Sequence, residues 1–90
     1  MKKTYFLKIT GRVQGVHFRV TSREVALALH LTGWVMNTGH HVEAVVSGEQ
    51  KNIDAFLEWA KEGPEYAIVE SIETKEIPNE EFSSFRVIRE

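Results

Sequence analysis

Cysteine is absent from the 90 residues. That excludes a disulfide framework, a thiolate nucleophile and every cysteine-ligated zinc or iron–sulfur site. Disulfide-free domains of this size favour a reducing compartment, so a cytoplasmic location is expected. Proline occurs twice and glycine six times, which excludes a collagen-like or low-complexity chain. Long hydrophobic runs are also missing. Met1-Lys2-Lys3 mimics the basic start of a signal peptide, but the apolar stretch behind it is only Tyr5-Phe6-Leu7 before Lys8 interrupts. That is too short for a signal peptide or a membrane span.

What is present reads as an ordinary globular chain, 42% hydrophobic and 27% charged. A chain of this length is expected to form a single domain over residues 1–90. The formal charge of −2 gives no general reason to expect nucleic acid. Charge is unevenly placed, however. Six basic residues (Lys2, Lys3, Lys8, Arg12, Arg19, Arg23) and no acidic one fall in the first 23 positions. Eleven of the thirteen carboxylates follow position 48. A near-neutral protein can still focus positive potential at one site for a small anion.

Periodicity predicts the elements. Tyr5 to Val13 reads as a strand with Tyr5, Leu7, Ile9, Gly11 and Val13 on one face. Phe18 to His30 reads as a helix, with a capping box at Thr21-Ser22-Arg23-Glu24 that would allow a start as late as Thr21. Gly33 is expected as its stop signal. Trp34-Val35-Met36 and His41 to Ser47 form a hairpin around the turn Asn37-Thr38-Gly39-His40. Glu49 to Glu62 is a second helix, with Ile53, Phe56, Leu57 and Ala60 on one face and Gly63-Pro64 ending it. Ala67 to Ile77 is a strand whose apolar set changes phase between Val69 and Ile72, which predicts a bulge. Phe85 and Val87 mark a last strand. The order β-α-β-β-α-β plus a terminal strand predicts an α+β, ferredoxin-like two-layer sandwich, an antiparallel sheet with two helices on one face. Such a fold does not by itself select a function.

Gly11-Arg12-Val13-Gln14-Gly15-Val16-His17-Phe18-Arg19 joins the first strand to the first helix. It has the parts of an anion cradle. Two glycines open backbone geometry closed to other residues. A helix N-terminus follows, where unpaired N–H groups favour negative charge. Arg19 stands at that entry, and its guanidinium can form a bidentate pair with a phosphate. The bland alternatives are a plain strand-to-helix turn and a surface arginine.

This stretch resembles the signature of the acylphosphatase family. The likeness continues through Leu31-Thr32-Gly33-Trp34-Val35-x-Asn37, Val42-Glu43, Gly48 and the closing Phe85-x-Val87. It covers essentially the whole chain as one acylphosphatase-like domain. The resemblance implies metal-independent hydrolysis of the carboxyl-phosphate bond of an acylphosphate, giving a carboxylate and inorganic phosphate. By the same resemblance, Arg19 matches the phosphate-binding arginine and Asn37 the catalytic asparagine that positions water. The backbone amides of Gln14, Gly15, Val16, His17, Phe18 and Arg19 are expected to wrap the phosphoryl oxygens, with Thr38 in support. No cofactor, metal, nucleic acid or membrane is implied. A monomer is expected, with inorganic phosphate as product and inhibitor. The alternative is a non-catalytic phosphate- or anion-binding module of the same fold.

The chain departs from the family at Met36, at His17 and in a turn one residue shorter between Asn37 and Val42, where His40-His41 replaces Asp-Gly. That turn is similar to the acylphosphatase-like domain of hydrogenase-maturation carbamoyltransferases. Adjacent His40 and His41 would face opposite sides of a strand, which argues against a shared metal. His17 lies in the cradle and could touch substrate, whereas His30, His40 and His41 are expected in surface or turn roles. Trp34, Phe18, Phe56, Trp59 and Phe85 are expected in or near the core.

Overall fold

Alternating side chains make the first strand two-faced. Leu7 and Ile9 are fully buried on one side, while Phe6, Lys8 and Thr10 line the other. A computed structural model describes residues 1–89. The elements are β1 (Lys2–Arg12), α1 (Phe18–Ala28), β2 (Thr32–Thr38), β3 (His41–Glu49), α2 (Gln50–Ala60), β4 (Ile68–Ile77) and β5 (Phe85–Ile88). The strands form one sheet in the order β4-β1-β3-β2-β5. Both helices pack on its buried face, as the ferredoxin-like reading requires. No helix among the described residues is long and apolar enough to cross a membrane.

The core lies between the layers. Ile53, Phe56 and Ala60 of α2 meet Leu7, Ile9, Val35, Val42 and Val46 of the sheet. Burying each large side chain contributes about 1.5–3 kcal/mol. An aromatic chain links the layers: Trp59 packs at 5.5 Å from both Phe18 and Phe56, and Phe56 lies 6.4 Å from Phe85. Phe18 is thereby fixed at the first turn of α1, one residue before Arg19. The expected bulge is present: Thr10 pairs with Ser71 but Gly11 with Val69, leaving Glu70 as the extra residue.

Four expectations are corrected. β1, β3, β4 and β2 pair antiparallel, but β5 runs parallel to β2, with Gly33 opposite Phe85 and Met36 opposite Ile88. The sheet is therefore mixed, because the 78–84 connection crosses the end of the sheet before β5 starts. Its crossing is anchored there by Thr4, whose hydroxyl accepts the Glu80 N–H at 3.0 Å, and by Ser47, whose hydroxyl donates to the Glu80 carbonyl at 3.0 Å. Second, α1 starts at Phe18, so the Thr21–Glu24 box is interior and caps nothing.

Third, Gly33 does not stop that helix; it belongs to β2. The helix ends with His30 at φ 57 and bonds from Leu31 N–H to the Ala26 carbonyl and His30 N–H to that of Leu27. This is a Schellman closure made without glycine. Gly33 instead serves close approach: a Cβ there would lie 1.9 Å from the Val45 carbonyl oxygen. Fourth, Trp34 is half-buried on the sheet's outer face, level with Val45 and Arg86, and is not in the core.

Candidate active site

One end of the sheet gathers four pieces: the exit of β1, the start of α1, the β2–β3 hairpin and the end of β5. The loop after β1 is held from inside by Val13 and Val16, both buried. Gly15 and His17 between and beyond them are exposed. Both take positive φ, 75° at Gly15 and 61° at His17. His17 is the residue before α1 and adopts the left-handed region, which costs a non-glycine residue about 1–2 kcal/mol. The kinked path leaves its amides open. Among the described residues, the N–H groups from Gly15 to Val20 donate to no backbone carbonyl; Thr21 is the first to do so, to His17 at 3.0 Å. No side chain caps this terminus.

Across from the loop, β2 runs on through Thr38, and only Gly39 and His40 form the turn. Asn37 was expected in that turn. It lies in the strand, opposite Val42 and on the side of the sheet that carries the helices. Gly39 holds φ 56 at the first turn position, where a two-residue hairpin of this kind needs glycine. Gln14 joins the two pieces. Its carboxamide nitrogen donates to the Gly39 carbonyl at 3.1 Å and to the His41 carbonyl at 2.9 Å. His41 also pairs through Nε2 with Glu43 at 2.9 Å, and His40 is exposed.

Two adjoining hollows open here. The larger, about 450 Å3, is lined by Gln14, Arg19, Asn37, Thr38, Gly39, Ile88 and Arg89. The smaller, about 300 Å3, is lined by Val13, Gly15, His17, Phe18, Arg19, Val20, Asn37 and Arg89. Arg19 and Asn37, named from widely separated motifs, thus border the same space. Gly15, His17 and Phe18 line one hollow, Gln14 and Thr38 the other, and Val16 neither. Among the described residues, no carboxylate lines either hollow. The Asn37 side-chain oxygen is buried and has no hydrogen-bond partner among the described residues. The arrangement offers an anion two guanidinium groups and a row of amides. Arg89 was not foreseen. Its place depends on β5 running parallel to β2, for which four residues of strand carry no signal.

The model of the acylphosphatase family matches residues 5–87. The chain belongs to the acylphosphatase family. An acylphosphatase of Syntrophus aciditrophicus is 39% identical over 90 residues, spanning 98% of this chain and 94% of its own. The structure of an acylphosphatase from Coxiella burnetii matches with TM-score 0.94 at 42% identity, over 97% of this chain and 93% of that one. The crystal structure of the acylphosphatase from Bacillus subtilis matches with TM-score 0.93 at 31% identity, over 99% and 100%. Acylphosphatases are hydrolases acting on acid anhydrides, and hydrolysis of the acylphosphate bond is the family's function.

Proposed function

We propose that this acylphosphatase works without a metal, through a water held by Asn37 and a phosphoryl group held by Arg19 and the loop amides of Gln14, Gly15, Val16, His17, Phe18 and Arg19. The observation that carries this reading is that Asn37 and Arg19, from distant parts of the chain, line the same two hollows, with Gly15, His17 and Phe18 beside them in one and Gln14 in the other. The water oxygen attacks phosphorus as the bond to the acyl oxygen breaks. The electron pair leaves on the carboxylate, and the water's proton passes to a phosphate oxygen.

The chemistry asks little more of the protein. Phosphoryl transfer has a loose transition state, so positioning and charge stabilisation carry most of the catalysis. The departing carboxylate has a reference pKa of about 4 and needs no general acid. A carboxylate base beside the phosphoryl group would repel it, whereas a neutral carboxamide holds water without adding charge. Arg19 and the amides stabilise the negative charge of the phosphoryl group, the task a metal cation performs in other phosphoryl-transfer sites. Thr38 supports Asn37 from the next position of β2. Every role falls in one copy of one domain, so a monomer suffices. Product phosphate occupies the same cradle and inhibits. Cytoplasmic residence fits the absence of cysteine, and neither nucleic acid nor membrane takes part.

Hydrolysis of benzoyl phosphate, with and without chelator and added phosphate, tests this reading. Arg19→Ala and Asn37→Ala are each expected to lower kcat by about 10²–10³-fold while the fold persists. Chelator should have no effect and phosphate should compete. Near-normal turnover by either variant overturns the assignment of roles. Phosphate binding with no turnover leaves only an anion-binding module.

A further inference from the structure

Because β5 runs parallel to β2, its end arrives at the hydrolytic end of the sheet. Met36 lies opposite Ile88, the last residue of β5; one step further along the chain stand Asn37, still in β2, and Arg89, just past the end of β5. Arg89 accordingly lines both hollows together with Arg19 and Asn37. Among the described residues, the combined lining holds two guanidinium groups and the His17 imidazole and no carboxylate, in a chain of net charge −2. A single phosphoryl group in the smaller hollow is served by one forked guanidinium and the loop amides. Its acyl chain then extends into the larger hollow, between the hairpin residues Thr38 and Gly39 on one side and Ile88 of β5 and the following Arg89 on the other.

Resting on the hydrolase reading above, we propose that Arg89 binds a second anionic group, a carboxylate on the acyl chain. The preferred substrates are then acylphosphates that carry a free carboxylate. The Ile88 side chain offers apolar contact to the methylene spacer, and the Arg89 fork matches a carboxylate in two hydrogen bonds. Arg89 is exposed, so the pair is screened by salt and its contribution is moderate. It is a specificity residue: the bond-breaking step proceeds without it.

Succinyl phosphate and butyryl phosphate test this, since their acyl chains match in length and differ in the terminal carboxylate. The quantity read is the ratio of kcat/KM for the two, which does not depend on the folded fraction of a preparation. Wild type is expected to favour succinyl phosphate by about tenfold, mainly through KM. Arg89→Ala should lower the ratio about tenfold, Arg89→Lys should restore part of it, and Arg89→Glu should invert the preference. Salt raised to about 0.5 M should shrink the wild-type ratio. A ratio unchanged by Arg89→Ala overturns the proposal, whether the two activities fall together or hold. If wild type hydrolyses neither compound, the hydrolase reading itself fails, a different result from loss of preference alone.

Discussion

Among the described residues, Gln14 is the side chain that hydrogen-bonds the loop after β1 to the hairpin carrying Asn37, and its removal has a calculable cost. Its two donated bonds reach the Gly39 carbonyl at 3.1 Å, in an exposed position, and the His41 carbonyl at 2.9 Å, in a partly buried one. A typical intramolecular hydrogen bond contributes about 0.5–1.5 kcal/mol net, and the exposed one belongs at the low end. Gln14→Ala should therefore destabilise the fold by about 1–2 kcal/mol. In a domain of this size that lowers the melting temperature by roughly 5–15 °C. Gln14→Glu is the sharper perturbation. It keeps the shape but at neutral pH has no N–H, so a carboxylate faces two carbonyl oxygens. It should be less stable than the alanine variant at pH 7. Folding raises the pKa of the new carboxyl, because only its neutral form can donate. The extra penalty is thus present at neutral pH and fades as pH falls towards about 4, near the reference value for glutamate. Both variants should also lose kcat/KM by about 10–100-fold, since a displacement of about 1 Å between loop and hairpin misaligns the reacting groups. Thermal melts at the two pH values and acylphosphate kinetics measure this. A Gln14→Glu protein that melts at or above the wild-type temperature at pH 7 refutes the reasoning.

Two further substitutions test the backbone. His17 sits at φ 61, so His17→Gly should be more stable than His17→Ala by about 1 kcal/mol in chemical denaturation, the reverse of the order found in ordinary helical positions. Equal stability would show that the left-handed kink is not enforced. Gly33→Ala places a Cβ 1.9 Å from the Val45 carbonyl oxygen at φ 136, between two central strands that cannot part. It should cost more than about 3 kcal/mol, seen as a large loss of soluble protein or of denaturation midpoint. A variant that folds normally would show that β2 can shift.

The parts of the molecule governed by period were readable from the chain. Leu7 and Ile9 alternate into the core, and Ile53, Phe56 and Ala60 repeat at helical spacing, because burial selects residue type position by position. The phase change in β4 likewise betrayed its bulge at Glu70. The loop between β1 and α1 could be singled out as a candidate anion cradle because its glycines and Arg19 stand in one continuous stretch. Other features depended on distant partners. The direction of β5 is set by where the 78–84 connection crosses, anchored on Thr4 and Ser47. Without that direction, Arg89 could not be brought to the site. Gly33 looked like a helix stop because a glycine needed for close approach to Val45 is written the same way as one needed for a turn. The Thr21–Glu24 box lost to Phe18, whose packing on Trp59 pulls the helix start one turn earlier. Asn37 could be named from its motif, but its place inside a strand required the register against Val42.

β4 forms one margin of the sheet, and so presents half of its backbone to water along ten residues. A bare margin of this kind invites another strand to add itself. Here its exposed side chains include Glu70, Glu73, Lys75 and Glu76, and the extra residue at Glu70 bends the strand. An incoming strand must strip water from those charges and follow a curve it does not share. That edge is thus guarded against the addition of a strand from another copy of the chain.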